Sequence, residues 1–261
     1  MKKLMFVAVA ALCGSLFADA TAITSANLVG YQQHSLNLDD ENDYAFDLGV
    51  NFKNMAGEDG EYVITDNFFG TDLQMGDQIF IFDNLMYGYS VYEFAELEGG
   101  VTGFTVLLAD GTFADPVTSI TLNKGDCAVM LPTDLTINPT VAGEVEKSGT
   151  AVIDMSCEES DEGYAKPIVN PFPIDTTLGD LAKWLVLGDQ IFVWNSEMYG
   201  YSMLEFAELE GGVTGFTVLM ADGTFADPIS DPNTVILKAG FGGIYLPSDF
   251  TGRTWEVTLN Y

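Results

Sequence analysis

Two acidic runs, Asp39-Asp40-Glu41-Asn42-Asp43 and Glu158-Glu159-Ser160-Asp161-Glu162, are the residues of this 261-residue chain best suited to holding a metal. Calcium takes about six to eight oxygen ligands from carboxylates, carbonyls and water. Asp39, Glu41, Asp43, Glu159 and Asp161 are the side chains that would supply them. Neither run has EF-hand spacing, because Tyr44 stands where that loop needs glycine. A solvated acidic turn is the alternative to a calcium site, and no other cofactor is expected.

Other chemistries have less to work with. His34 is the single histidine, so a multi-imidazole metal site cannot form and any Ser-His-Asp or Cys-His arrangement would have to pass through it. There is no P-loop or dinucleotide fingerprint. Glu93, Glu96 and Glu98, repeated as Glu205, Glu208 and Glu210, could furnish a glycosidase carboxylate pair, which needs a separation of about 5–10 Å. Solvent-facing strand positions explain them equally well, and a non-enzymatic protein is expected. Aromatic rings offer a third option. Tyr87 and Tyr199 stand beside Gly-Tyr pairs that follow a strand ending in Phe82 or Trp194; Trp194, Tyr199 and Tyr87 could stack on sugar faces, with core packing as the alternative.

The elements that would position these residues come in two copies. Residues 76–116 recur as 188–228, an offset of 112, with about 33 of 41 pairs identical. Self-similarity at a fixed offset dictates architecture before any single motif does. Leu131-Pro132-Thr133-Asp134 returns as Leu246-Pro247-Ser248-Asp249 at an offset of 115, so the second copy carries three extra residues near Asp231 to Asn233. Within each copy, apolar runs at 78–82 and 190–194 suit strands buried on both faces. Residues 87–97 and 103–109 read as further strands, with Asp110-Gly111 as a hairpin turn. Short strands are expected at 119–122 and 127–131. The best helix is 177–187, with a Thr cap and Leu178, Leu181, Trp184 and Leu185 on one face. The expected fold is all-β: two tandem duplicated sandwich- or barrel-like domains, residues 21–136 and 137–261, each with at most one short helix.

The ends and the charge bear on destination. Lys2 and Lys3, an apolar stretch over 4–17 and Ala18-Asp19-Ala20 describe a signal peptide over residues 1–20. Without it, two lysines and one aspartate are lost, and the net charge of −30 becomes about −31. Such a charge repels nucleic acid and anionic membranes. Salt adaptation and bound divalent cations both account for it. Cys127 and Cys157 remain after cleavage; an exported pair permits a disulfide, with two free thiols as the alternative. Trp255, Val257, Leu259 and Tyr261 alternate with polar residues, as in the last strand of an outer-membrane barrel or the closing strand of a soluble domain.

Ser25-Ala26-Asn27-Leu28-Val29-Gly30-Tyr31, Asn170-Pro171-Phe172, the run from Gly188 to Asn195 and Tyr245-Leu246-Pro247 together resemble an uncharacterised family of secreted β-repeat proteins from planctomycete- and verrucomicrobial-type environmental bacteria. The first copy departs from that pattern, with Asn51-Phe52 lacking the proline and Phe82-Asp83 replacing Trp-Asn. The resemblance implies architecture and export, and brings no catalytic residues. The resulting expectation is a secreted cell-surface or matrix protein that works through its duplicated domains, by self-association or contact with other surface proteins. A carbohydrate-binding protein, with a polysaccharide partner, is the alternative; an outer-membrane-associated β protein or a glycoside hydrolase is a more distant one. If the acidic runs bind calcium, saturating calcium raises the melting temperature over that in chelator, because a ligand specific to the native state stabilises it; an unchanged melt contradicts the site.

Overall fold

The structure is a computed structural model that describes residues 29–33, 46–49, 61–68, 70–83, 88–123, 125–133, 140–144, 150–157, 165–170, 174–195, 198 and 200–258. Residues 1–20, where a signal peptide is expected, both acidic runs, Tyr87, Tyr199, Leu259 and Tyr261 lie outside these residues.

The described chain is almost all strand. Its earlier part runs β1 (Val29–Gln33), β2 (Phe46–Gly49), β3 (Glu61–Ile64), β4 (Asn67–Phe68), β5 (Thr71–Asp72), β6 (Gln78–Asp83), β7 (Gly88–Glu96), β8 (Thr102–Leu107), β9 (Phe113–Val117), β10 (Ile120–Asn123), β11 (Cys127–Leu131) and β12 (Thr140–Glu144). The later part runs β13 (Thr150–Asp154), β14 (Lys166–Val169), β15 (Thr176–Thr177), α1 (Leu178–Ala182), β16 (Gln190–Asn195), β17 (Gly200–Leu209), β18 (Val213–Leu219), β19 (Phe225–Ile229), β20 (Ile236–Leu237), β21 (Gly242–Leu246) and β22 (Thr254–Thr258).

Two six-stranded antiparallel sheets share one strand order: β2-β11-β6-β7-β8-β9 in the first and β14-β21-β16-β17-β18-β19 in the second. Smaller ladders, β3 with β10 and β15 with β20, accompany them. The ladders β1–β12 and β13–β22 each join an early strand to a late one. A boundary after Thr136 would therefore separate β12 from its partner β1. In β22, Trp255 and Val257 are buried in the second core while Glu256 is exposed, so this strand closes that core.

Each sheet is apolar on both sides because strand residues alternate between faces. In the first, Ile79, Phe94, Phe104 and Met130 face one core with Tyr62, Ile64, Phe68 and Leu122 from the covering elements. In the second, Ile191, Phe206, Phe216 and Tyr245 meet Leu178, Leu181, Trp255 and Val257. Burying one such aliphatic or aromatic side chain contributes about 1.5–3 kcal/mol.

Where the first copy folds a small β4–β5 hairpin, the second has α1. Thr177 caps it, accepting from Asp180 N at 3.1 Å. The helix is shorter than the spacing predicts, ending at Ala182. Trp184 N and Leu185 N bond three residues back, to Leu181 O and Ala182 O, and Gly188 at φ 92° then turns the chain into β16. Leu185 still packs on the core. The β8–β9 turn also differs in detail. Gly111 N donates to Leu108 O, and Gly111 itself, at φ 83°, supplies the left-handed residue that closes the hairpin.

One polar residue anchors each sheet. Asp77 is fully buried; its Oδ1 accepts from Thr133 N and Oγ1, both at 2.7 Å, and its Oδ2 from Gln74 N at 2.8 Å. Its counterpart Asp189, also fully buried, accepts from Ser248 N at 2.8 Å and Ser248 Oγ at 2.9 Å, and from Val186 N at 3.0 Å. The repeated Leu-Pro-Thr/Ser-Asp motif is thus the docking partner of a buried carboxylate. In the second copy Tyr245 Oη donates to Asp189 at 3.0 Å and Arg253 Nη1 lies 3.2 Å from both of its oxygens. Burial, and then the charge of Asp189, holds the Tyr245 phenol protonated well above its ordinary pKa. Asp77→Ala is expected to cost about 1–3 kcal/mol in urea unfolding, from donors left unpaired. Asp189→Ala costs more, about 3–5 kcal/mol, because the buried guanidinium of Arg253 loses one of its two carboxylate partners and keeps only the exposed Asp249. Equal costs would contradict this reading.

Candidate functional site

Three regions gather the residues of interest: a seam between the sheets, a groove in the second repeat, and the outermost hairpins.

The seam forms where each sheet turns its other face to its counterpart. Cys127, Ala165, Val169 and Ile244 are buried together, with Phe82, Tyr89, Phe192 and Leu246 packed against them. Tyr89 stacks on Tyr201, the residue at its own repeat position, with ring centroids 4.6 Å apart and planes 12° from parallel. Phe82 sits edge-on to Tyr89 at 5.3 Å, and Trp194 edge-on to Tyr201 at 5.1 Å. Equivalent residues meeting each other is the mark of an isologous, two-fold contact. Trp194 is therefore half-buried and packed on a neighbouring ring, not laid flat at the surface. Its Nε1 is buried without a hydrogen bond.

Cys127 and Cys157 are not bridged to each other in the structure. The packing supplies the reason. Cys127 is held in the seam, its Sγ 3.7 Å from Gly243 O, whereas Cys157 packs against the second core with its Sγ 3.7 Å from Met155 O. Burial pushes the Cys157 thiol above its ordinary pKa, which disfavours the reactive thiolate.

The groove, of about 470 Å³, opens at the end of the β16–β17 hairpin. Its wall on the sheet side includes Val193, Leu204 and Met220, and its opposite wall includes Ile236, Leu237 and Phe241. Its polar side chains are Asn195 and Ser202, joined by an Asn195 Nδ2 to Ser202 Oγ hydrogen bond of 3.3 Å. Val193 and Asn195 fall in the run from Gly188 to Asn195 that carries the resemblance, but the sequence alone does not mark them, or the other lining residues named here, as a site.

The outer hairpins are where the repeats are identical. Residues 93–107 match 205–219, and 109–116 match 221–228. Each hairpin ends on an edge strand, β9 or β19, that presents one phenylalanine to solvent: Phe113 is 81% exposed and Phe225 77%. Asp110 and Asp115 stand exposed on the first hairpin and Asp222 and Asp227 on the second; Glu96, Glu98, Glu208 and Glu210 are exposed at the opposite ends of β8 and β18. Asp110 and Asp222 each accept two hydrogen bonds from the following threonine, Thr112 or Thr224, and these hold both carboxyls below their ordinary pKa.

Glu93 and Glu205 are each engaged across the strand pair, accepting from Gln78 Nε2 at 3.0 Å and Gln190 Nε2 at 3.3 Å. Of the sugar-stacking candidates, Trp194 is the one described. The five carboxylates proposed for calcium lie outside the described residues, and among those described no three His, Cys, Asp or Glu side chains are grouped to hold a metal. No described helix is long and apolar enough to cross a membrane. No protein-family model, curated protein or solved structure matches the chain. Fold and surface therefore define an all-β protein with two equivalent sheets and two equivalent outward hairpins.

Proposed function

We propose that this is an exported, non-enzymatic cell-surface or matrix protein that makes paired contacts through its two identical outer hairpins. One observation carries the reading: each hairpin holds a phenylalanine almost fully in water, at the same repeat position, among exposed carboxylates. A large exposed apolar side chain rimmed by polar groups is a feature of contact surfaces.

The edge strands limit what kind of contact this is. Pro116 and Pro228 lie within β9 and β19 and remove a backbone donor from each edge. Such an edge resists strand addition. Contact therefore runs through side chains, with phenylalanine as the anchor and carboxylates as the rim. The complementary surface is an apolar pocket bordered by Lys and Arg on another surface protein, since a second copy of so acidic a chain repels the first. Two identical anchors on one chain turn the second binding event into an intramolecular one, which multiplies avidity.

Binding of the labelled, leaderless protein to cells of the source organism tests this. Phe113→Ser and Phe225→Ser are each expected to weaken retention, and the double variant to reduce it more than tenfold, with melting temperature unchanged because both rings are exposed. Rising salt weakens retention as the carboxylate rim is screened. Retention of the double variant at the level of the parent contradicts the proposal.

A further inference from the structure

The groove is where the second repeat departs from the first. Six of its lining residues fall in the aligned segment 188–228: Val193, Trp194, Asn195, Ser202, Leu204 and Met220. Five of them differ from their counterparts Ile81, Phe82, Asp83, Tyr92 and Leu108, whereas only three of the other 35 aligned positions differ.

The changes open space. Ile81 and Tyr92 pack against the first core. At the same places Val193 gives up a methylene and Leu204 a phenol ring, while Met220 brings an unbranched, adaptable thioether. The far wall is also peculiar to the second repeat. The extra residues near Asp231 to Asn233 belong to a 3₁₀ turn over Pro232–Thr234, with Asn233 N donating to Asp231 Oδ1 at 3.1 Å. This turn seats against α1 so closely that a Cβ on Gly179 would lie 2.2 Å from Asn233 Oδ1. The chain leaves the turn through Val235, Ile236 and Leu237, which line the groove.

The polar groups are few and aimed at one task. Ser202 is buried; its Oγ accepts from Asn195 Nδ2, and Asn195 Oδ1 is taken by Met198 N at 3.1 Å. The donors that remain among the lining residues are the hydroxyl proton of Ser202, the second Nδ2 hydrogen of Asn195 and Trp194 Nε1, which has no hydrogen bond. Among the described residues no charged side chain lines the groove.

We propose that this groove is a binding site for a small, neutral, mostly apolar molecule that carries one hydrogen-bond acceptor, such as a carbonyl or ether oxygen. The volume falls within the range of small-molecule sites, about 300–1,000 Å³, and the lining has their usual character: apolar walls with a few placed polar groups. A carboxylate ligand is disfavoured twice, by desolvation against an uncharged wall and by the acidity of the chain.

Fluorescence titration of the purified, leaderless protein with Nile red, an uncharged aromatic with a carbonyl acceptor, tests the site. Saturable one-to-one binding is expected, displaced by methyl decanoate and at least tenfold less well by decanoate. Refilling the groove with the first repeat's own residues (Val193→Ile, Leu204→Tyr and Met220→Leu together) weakens Nile red binding at least tenfold without lowering the melting temperature. Ser202→Ala, which leaves the walls intact and decides the matter if the triple variant does not fold, weakens it about three- to tenfold. Tyr92→Leu in the first sheet leaves it unchanged. Absence of saturable binding, affinity untouched by the refilled groove or by Ser202→Ala, or stronger displacement by decanoate than by its ester overturns the proposal.

Discussion

A sheet with apolar side chains on both faces has to be covered twice, and that requirement organises this molecule. In β6 the alternation puts Ile79 and Ile81 against the first core and Phe82 against the seam; in β16 it puts Ile191 and Val193 against the second core and Phe192 against the seam. The near face of each sheet is covered by its own small ladders and, in the second repeat, by α1. The far face is covered by the other sheet. Hydrophobic burial favours any such closure and is not directional. Direction comes from the aromatic contacts, above all the stack of Tyr89 on Tyr201 flanked by Phe82 and Trp194.

That arrangement separates two kinds of surface. The inner ends of β6 and β7, and of β16 and β17, are taken up by the seam. The outer hairpins are left in solvent, and it is there that the repeats are identical over long runs. Between them, the second repeat holds a groove made of the residues by which it differs. One chain thus offers a matched pair of contacts and a single unpaired cavity. Neither disturbs the buried aspartates that fix the closing segment of each sheet.

Much of the fold was legible in the residues. The apolar runs at 78–82 and 190–194 are strands flanked by packed residues on both sides, as their composition implies, and Thr177 caps a helix as its type and position suggest. The repeated Leu-Pro-Thr/Ser-Asp motif marked a shared structural element, although its partner, a buried aspartate opening the next strand, could not be found without three-dimensional pairing. Strand partnership was the least accessible feature: that Thr140–Glu144 pairs with Val29–Gln33 depends on contacts more than a hundred residues apart, which periodicity does not encode. The cysteines show the same limit, since two thiols close in sequence point into different packing environments. Trp194 is half-buried edge-on to Tyr201 of the adjacent strand, a contact that its chain neighbours Val193 and Asn195 do not announce. The groove left a trace that could have been read, because the differences between the repeats cluster at residues 193–197, 203–204 and 220.

The central claim is that the two sheets are held face to face through the paired tyrosines. A double-mutant cycle of Tyr89→Ala and Tyr201→Ala, followed by urea unfolding, tests it most directly. A stacked aromatic pair predicts a coupling of about 0.5–1.5 kcal/mol, so the double variant loses less stability than the two single variants combined. Strict additivity, with a coupling indistinguishable from zero, would show that the rings do not meet and would contradict the account.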